Sequence, residues 1–120
     1  MDPPRRGLFL GVTSVDIVHL VDRLPAPNEK RAALDLLVTT GGPVTTAAVT
    51  FAWLGGRAHV VSALGRHVLA EVARADLAAH DVRHTDLAPD RDAPPHTVSV
   101  LVTAGTGERA LVYHGPAAVA

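Results

Sequence analysis

The stretch "VTTGGPVTTAAVTFAWLGG", Val38 to Gly56, decides the fold. Two glycines and a proline stand directly ahead of a run in which Val44, Ala47, Ala48, Phe51, Ala52 and Leu54 follow helical spacing. Proline is tolerated at the first helical position, and glycine accepts backbone angles that other residues resist. The triplet therefore reads as a turn feeding a helix over Val44 to Leu54, with Gly55 and Gly56 as its C-terminal stop. Packing alone seldom sets the most flexible backbone unit against a helix start, whereas a backbone that must approach a ligand closely often does. An ordinary loop-to-helix junction is the plainer reading of Gly-Gly-Pro on its own.

Working outward, "GLFLGVTSVDIV" opens with an apolar run that Gly11 ends, which predicts a buried strand from Leu8 to Val12. Two extended segments, Val18 to Asp22 and Ala32 to Thr39, flank "LPAPNEK", a loop on account of Pro25 and Pro27. On the C-terminal side, Ala58 to Ala63 reads as a second buried strand. "RHVLAEVARADLAAH" reads as a helix with Leu69, Val72, Ala73 and Leu77 on one face, and Val82 as part of a short strand. The run "HTVSVLVT" alternates like a strand with one covered face, "AGTGE" is a turn, and "RALVYHG" returns as its hairpin partner. This order predicts a parallel α/β layer carrying a separate antiparallel flap. Ligands in such layers sit beyond the carboxyl ends of the strands, where Asp16, after the first strand, and the Gly41–Gly42 pair are both expected.

Composition narrows the function classes. A chain of 120 residues fits one domain, and a hydrophobic share of 48% with only 3% aromatic residues predicts an aliphatic core. Eleven basic against twelve acidic residues leave no electrostatic footprint for a nucleic acid or an anionic membrane. Cysteine is absent, which excludes disulfides and thiolate metal sites and fits a reducing compartment, so a cytoplasmic location is expected. The apolar N-terminal run is broken by Asp16 and His19, and no stretch approaches the ~20 apolar residues of a membrane span.

Asp16, a polar break in apolar surroundings, is suited to accept hydrogen bonds from two neighbouring hydroxyls of a polyol or sugar, or equally to end a strand in solvent. His80 and His84 have spacing that suits a metal on a helix, but no third ligand clusters with them, so no metal site is expected and they read as surface histidines. Ser14, Ser62 and Ser99 lack the nucleophile elbow of hydrolases. "GTGER" lacks the Gly-Lys-Ser/Thr ending of a phosphate loop, and its glycines suit a hairpin turn.

Together, "GVTSVD", "LPAPNE", "GGPVTTAAVTFAWLGGRAHVVSALG", "AAHDV" and "GERALVYHGPAA" resemble the successive N-terminal landmarks of the ribokinase-like PfkB carbohydrate kinase family. The resemblance covers essentially the whole chain. It implies an α/β fold, a Rossmann-like three-layer core with a β-sheet lid, of which residues 1–120 are the N-terminal portion. The lid strands are expected near 18–39 and 97–114. It also implies ATP-dependent phosphorylation of a sugar or nucleoside hydroxyl, with Mg²⁺ accompanying the nucleotide in the complete enzyme. Carried across by position, Asp16 binds substrate hydroxyls, while Gly41 and Gly42 bring backbone amides to the sugar and hinge the lid. Thr46 and Ser14 line the same pocket, where the family usually or often has Asn, which leaves the substrate open. Arg66 and His67 replace the usual acidic pair after "ALG".

The family's anion hole and catalytic Asp lie in the C-terminal half of longer chains, so the resemblance assigns no catalytic residue here. It makes this chain the substrate-binding half. Two other readings stand beside it: a non-catalytic module that binds sugar or forms a homodimer through the lid, and an inactive remnant.

Overall fold

A computed structural model describes residues 2–115. In chain order the elements are β1 (Arg6–Leu10), β2 (Ser14–Val21), β3 (Asp35–Gly41), α1 (Pro43–Trp53), β4 (Arg57–Ser62), α2 (Val68–Ala79), β5 (Arg83–Asp86), β6 (His96–Thr103) and β7 (Arg109–His114). They build two sheets. The first, of order β1-β4-β5, is entirely parallel. The second, of order β3-β2-β6-β7, is mixed: β2 runs antiparallel to β3 but parallel to β6, and β6 runs antiparallel to β7.

The second sheet corrects the expectation of a purely antiparallel flap. Between β2 and β6 the chain passes through β3, both helices and two strands of the first sheet, and a return by such a crossover delivers a parallel neighbour. The first strand also lies two residues earlier than Leu8 to Val12, and β2 starts at Ser14 rather than Val18. Asp16 therefore lies inside a strand of the second sheet, not in the loop after the first. Val82 precedes β5 instead of belonging to it.

Both helices cover one face of the parallel sheet. Ala48 of α1 and Leu77 of α2 meet Ala58, Val60 and Val82 in one buried cluster, and Phe9 stacks at a tilt on Phe51 at 5.6 Å between ring centres. Small alanines at the contact let the helices approach the sheet closely. The helix faces differ from the expected ones: α2 buries Ala70, Ala73 and Leu77 while Val72 turns outward, and α1 buries Thr45 along with Ala48 while Leu54 is exposed. A second cluster, Val15, Leu64, Ala70 and Ala73 with Ile17 beside it, packs α2 against β2. Helix α2 thus joins the two sheets.

The opposite face of the parallel sheet carries Arg6, Leu8 and Leu10 on β1, Arg57, His59 and Val61 on β4, and Arg83 and Thr85 on β5, by the alternation of side chains along a strand. Leu8 and Leu10 are 62% and 63% exposed. Among the described residues the core therefore supplies a sheet and one helical layer.

The loop between β2 and β3 is held by charges. The Arg31 guanidinium takes both carboxylate oxygens of Asp22, and Arg23 takes both of Glu29. The hydrogen bonds from Arg31 hold the Asp22 carboxyl well down, at about 2.

Candidate functional site

The site begins with register. Ser14 lies opposite Gly41 and Asp16 opposite Thr39 across the β2–β3 ladder, so all four share one face of the second sheet. Within that face the Ser14 hydroxyl donates to Asp16 Oδ1 at 2.7 Å. The other carboxylate oxygen, Oδ2, leans over Gly41, where an added β-carbon would fall 2.1 Å from it. Glycine at position 41 is thus a matter of space: the carboxylate occupies the volume that any side chain there would need.

Gly42 answers a different requirement. It caps α1 at φ 96°, ψ 147°, in the region that favours glycine, and a β-carbon there would meet the Val12 carbonyl oxygen at 2.6 Å. Pro43 follows as the first helical residue, where its missing N–H costs nothing.

Beneath this turn runs a continuous chain of buried hydroxyls. Thr45 Oγ1 lies 3.0 Å from Thr13 Oγ1, which lies 2.7 Å from Ser62 Oγ, and all three side chains are fully buried. Ser62 Oγ in turn lies 2.8 Å from Nε2 of His84. The Thr45 hydroxyl also reaches the Val12 carbonyl at 3.4 Å. Through these bonds the start of α1 is tied to the end of β4 and, through His84, to β5. Burial pushes His84 below the ordinary histidine range, although the Asp86 charge opposes it.

The loop after β4 has its own anchor. Asp86 accepts N–H bonds from Leu64, Gly65 and Ala88 at 2.9 Å each, and Arg74 approaches at 3.3 Å. Burial alone would raise this carboxyl, but the three backbone donors together outweigh burial and hold it below the usual range.

The expected site residues thus divide. Ser14, Asp16 and Gly41 form one contact group, and Gly42 turns the chain beside it. Thr46 joins them only through its backbone, donating its N–H to the Gly42 carbonyl at 2.9 Å. Its exposed side chain lines a small groove of about 200 Å³ with Thr39, Thr40, Thr50, Asp76 and His80. Of the two histidines singled out in the sequence, His80 is exposed as expected, at the C-terminal end of α2 with Nδ1 2.8 Å from the Asp76 carbonyl, whereas His84 is half-buried against Ser62.

The buried hydroxyls and Asp86 had escaped sequence reasoning. Thr13, Thr45 and Ser62 meet across sequence separations that only the sheet register closes. Asp86 left one signal, an acid ending a short extended run ahead of "LAP".

The sequence pattern of the pfkB family carbohydrate kinases matches residues 7–120. The chain belongs to that family. No protein among the curated sequences matches it. Solved structures share the PfkB-type ribokinase-like fold. A carbohydrate kinase from Agrobacterium tumefaciens matches at TM-score 0.74 and 18% identity, covering 92% of this chain and 35% of its own. A ribokinase from Cryptococcus neoformans in complex with ADP matches at 0.68 and 21%, covering 95% and 34%. The phosphofructokinase-2 of Escherichia coli in complex with fructose-6-phosphate matches at 0.69 and 19%, covering 90% and 34%. This PfkB chain therefore spans about a third of the length of the kinases whose fold it shares.

Proposed function

We propose that this chain carries the sugar-binding part of a PfkB-type kinase, and that the whole protein transfers phosphate from ATP to a hydroxyl of a sugar or nucleoside. The observation that carries the reading is the Asp16 carboxylate, oriented by Ser14 at one oxygen and seated over Gly41 at the other. A carboxylate fixed in this way accepts two hydroxyls of a diol, and charge-assisted bonds of that kind set orientation as well as affinity. Phosphoryl transfer depends largely on positioning, which is what such a clamp supplies. We assign the lid role to the second sheet, whose strands β2, β3, β6 and β7 overlap the segments near 18–39 and 97–114.

ATP and Mg²⁺ serve the complete enzyme. Among the described residues no group of three His, Cys, Asp or Glu is placed to hold a metal ion. Gly105 and Gly107, at φ 88° and 72°, turn the β6–β7 hairpin. Among the described residues no helix is long and apolar enough to cross a membrane. A cysteine-free sequence supports a reducing, cytoplasmic compartment, and the near-balanced charge supports a small-molecule partner rather than a nucleic acid.

The test is the melting temperature of the chain with ribose, fructose 6-phosphate or adenosine, against Asp16→Ala. A ligand at 100 times its Kd should add about 2.7 kcal/mol. Stabilisation by none of the three, or stabilisation that survives in D16A, would sink the assignment of the site.

A second reading, association through the lid, is favoured by apolar exposure on the outer strands, with Leu37 58%, Val112 75% and Tyr113 79% exposed. Open sheet edges invite pairing. Concentration-dependent dimerisation without any sugar response would support it over the first.

A further inference from the structure

The end of β3 is gripped from two sides. On one face the Asp16 carboxylate lies over Gly41. From the side of the helices, Asp76 of α2 reaches the residue before it: Oδ2 accepts the Thr40 N–H at 2.8 Å and the Thr40 hydroxyl at 2.6 Å, with the Thr39 hydroxyl at 3.5 Å. Because β3 is the edge strand of its sheet, an N–H turned away from β2 would otherwise meet only water. Here it meets a carboxylate whose side chain is only 19% exposed, in a bond strengthened by charge.

Asp76 is an unfavourable choice for the helix that carries it. It lies in the last turn of α2, where the helix dipole disfavours negative charge; the turn itself holds no basic residue, and the C-cap His80 places Nδ1 3.7 Å from the other carboxylate oxygen, Oδ1. Aspartate is also a poor helix former. What the structure gains from an acid at this position is its bonds to β3.

We propose that Asp76 is a positioning residue for the Asp16 site: by tying Thr40 to α2, it fixes the strand exit so that Gly41 lies under the Asp16 carboxylate and Gly42 can start α1. Both carboxylates then act on consecutive residues, Gly41 and Thr40, immediately ahead of the one sharp turn between the lid sheet and the first helix. Asp76 touches no substrate in this scheme. Its identity as part of a sugar site rests on the function proposed above, whereas its mechanical role does not.

The experiment is amide hydrogen exchange, read residue by residue by NMR, on the wild-type chain and on D76A, D76N and T40V. The proposal expects exchange at Thr40 and Gly41 to rise tenfold or more in D76A while β6 and α1 keep their protection. Part of that protection should return in D76N, which keeps an oxygen at the same place. T40V removes only a hydroxyl and supplies the comparison should D76A fail to fold. Titration with ribose and fructose 6-phosphate then expects fivefold or greater weakening in D76A and T40V of whichever probe the wild type binds. Unchanged exchange at Thr40, a uniform rise along the whole chain, or full affinity despite local loosening would each overturn the proposal. If the wild type binds neither probe, nor adenosine, the substrate-site reading fails, and the anchor stands or falls on the exchange pattern alone.

Discussion

The Asp16 carboxylate and the α-carbon of Gly41 are so close that a single methyl group at position 41 would fall 2.1 Å from Oδ2. Ser14, directly opposite Gly41 in the ladder, holds the other oxygen, so the carboxylate cannot swing away without giving up a hydrogen bond. Gly41→Ala should therefore displace Asp16 and cost roughly 1–3 kcal/mol, the usual range for overpacking. Urea unfolding reads the cost, and the same variant should lose any sugar-dependent rise in melting temperature. A fully stable G41A that still responds to sugar would show that the carboxylate has another place to go.

At Gly42 the obstacle is the backbone itself. With φ at 96° and the Val12 carbonyl 2.6 Å from a would-be β-carbon, Gly42→Ala combines strain with a clash against an atom that cannot rotate aside. A loss of about 1–3 kcal/mol is expected from the backbone conformation. The check is again equilibrium unfolding, and a near-neutral result would mean that the turn re-forms in another geometry.

Ser62→Ala should be costly out of proportion to its size. Its hydroxyl is the central link between Thr13 and His84, so removing it strips a partner from two buried or half-buried groups at once. The penalty for leaving buried polar groups unpaired is about 1–3 kcal/mol. Thr13→Val, which removes a different link, should not add its full effect on top of Ser62→Ala. Simple additivity in that double-mutant cycle would count against a connected network.

Stability should fall in mild acid. His84 in the folded chain binds its proton less readily than an unfolded histidine, because burial disfavours the charged ring. As the pH drops through the ordinary histidine value of 6.5, the unfolded state gains protons first. The contribution is therefore present above that value and lost as the pH falls through the folded pKa below it. Asp86 has the same sign further down: its folded carboxyl titrates below 3.8, so its stabilisation is present above that value and lost in stronger acid. Melting temperatures between pH 7.5 and 5 should decline in the wild type and decline less in His84→Gln. Equal slopes in both would assign the loss to other groups.

Much of this was legible because periodicity carries it. The helical spacing after Gly42 and the alternation from His96 to Thr103 each mark an element, and both formed close to the expected bounds, although β6 fully buries only Val100 and α1 only Thr45 and Ala48. The start of β2 was obscure for the opposite reason. Ser14 and Asp16 project onto the sheet face that holds the candidate site, so their polarity looked like a loop rather than a strand. Asp16 and the glycine pair were visible as unusual residues, but that carboxylate and glycine share one face depends on pairing across β2 and β3. The Thr13, Ser62 and His84 chain had no local pattern at all, since its members come from separate strands and loops. Asp76 lies off the apolar face of its helix, and its bonds to Thr40 depend on how α2 packs against β3, which no local pattern encodes.

The order of strands in the mixed sheet has a consequence for synthesis. Strand β2 takes two partners, β3 soon after it in the chain and β6 only after both helices and the rest of the parallel sheet, with Ser14 paired to His96. A ribosome working from the N terminus delivers the first pairing early and leaves the other edge of β2 open until β6 follows. Distant pairings form slowly, and unpaired edges are where nascent chains stick to one another. A translational pause placed just before His96 should lower the soluble yield of this protein far more than the same pause placed after His114.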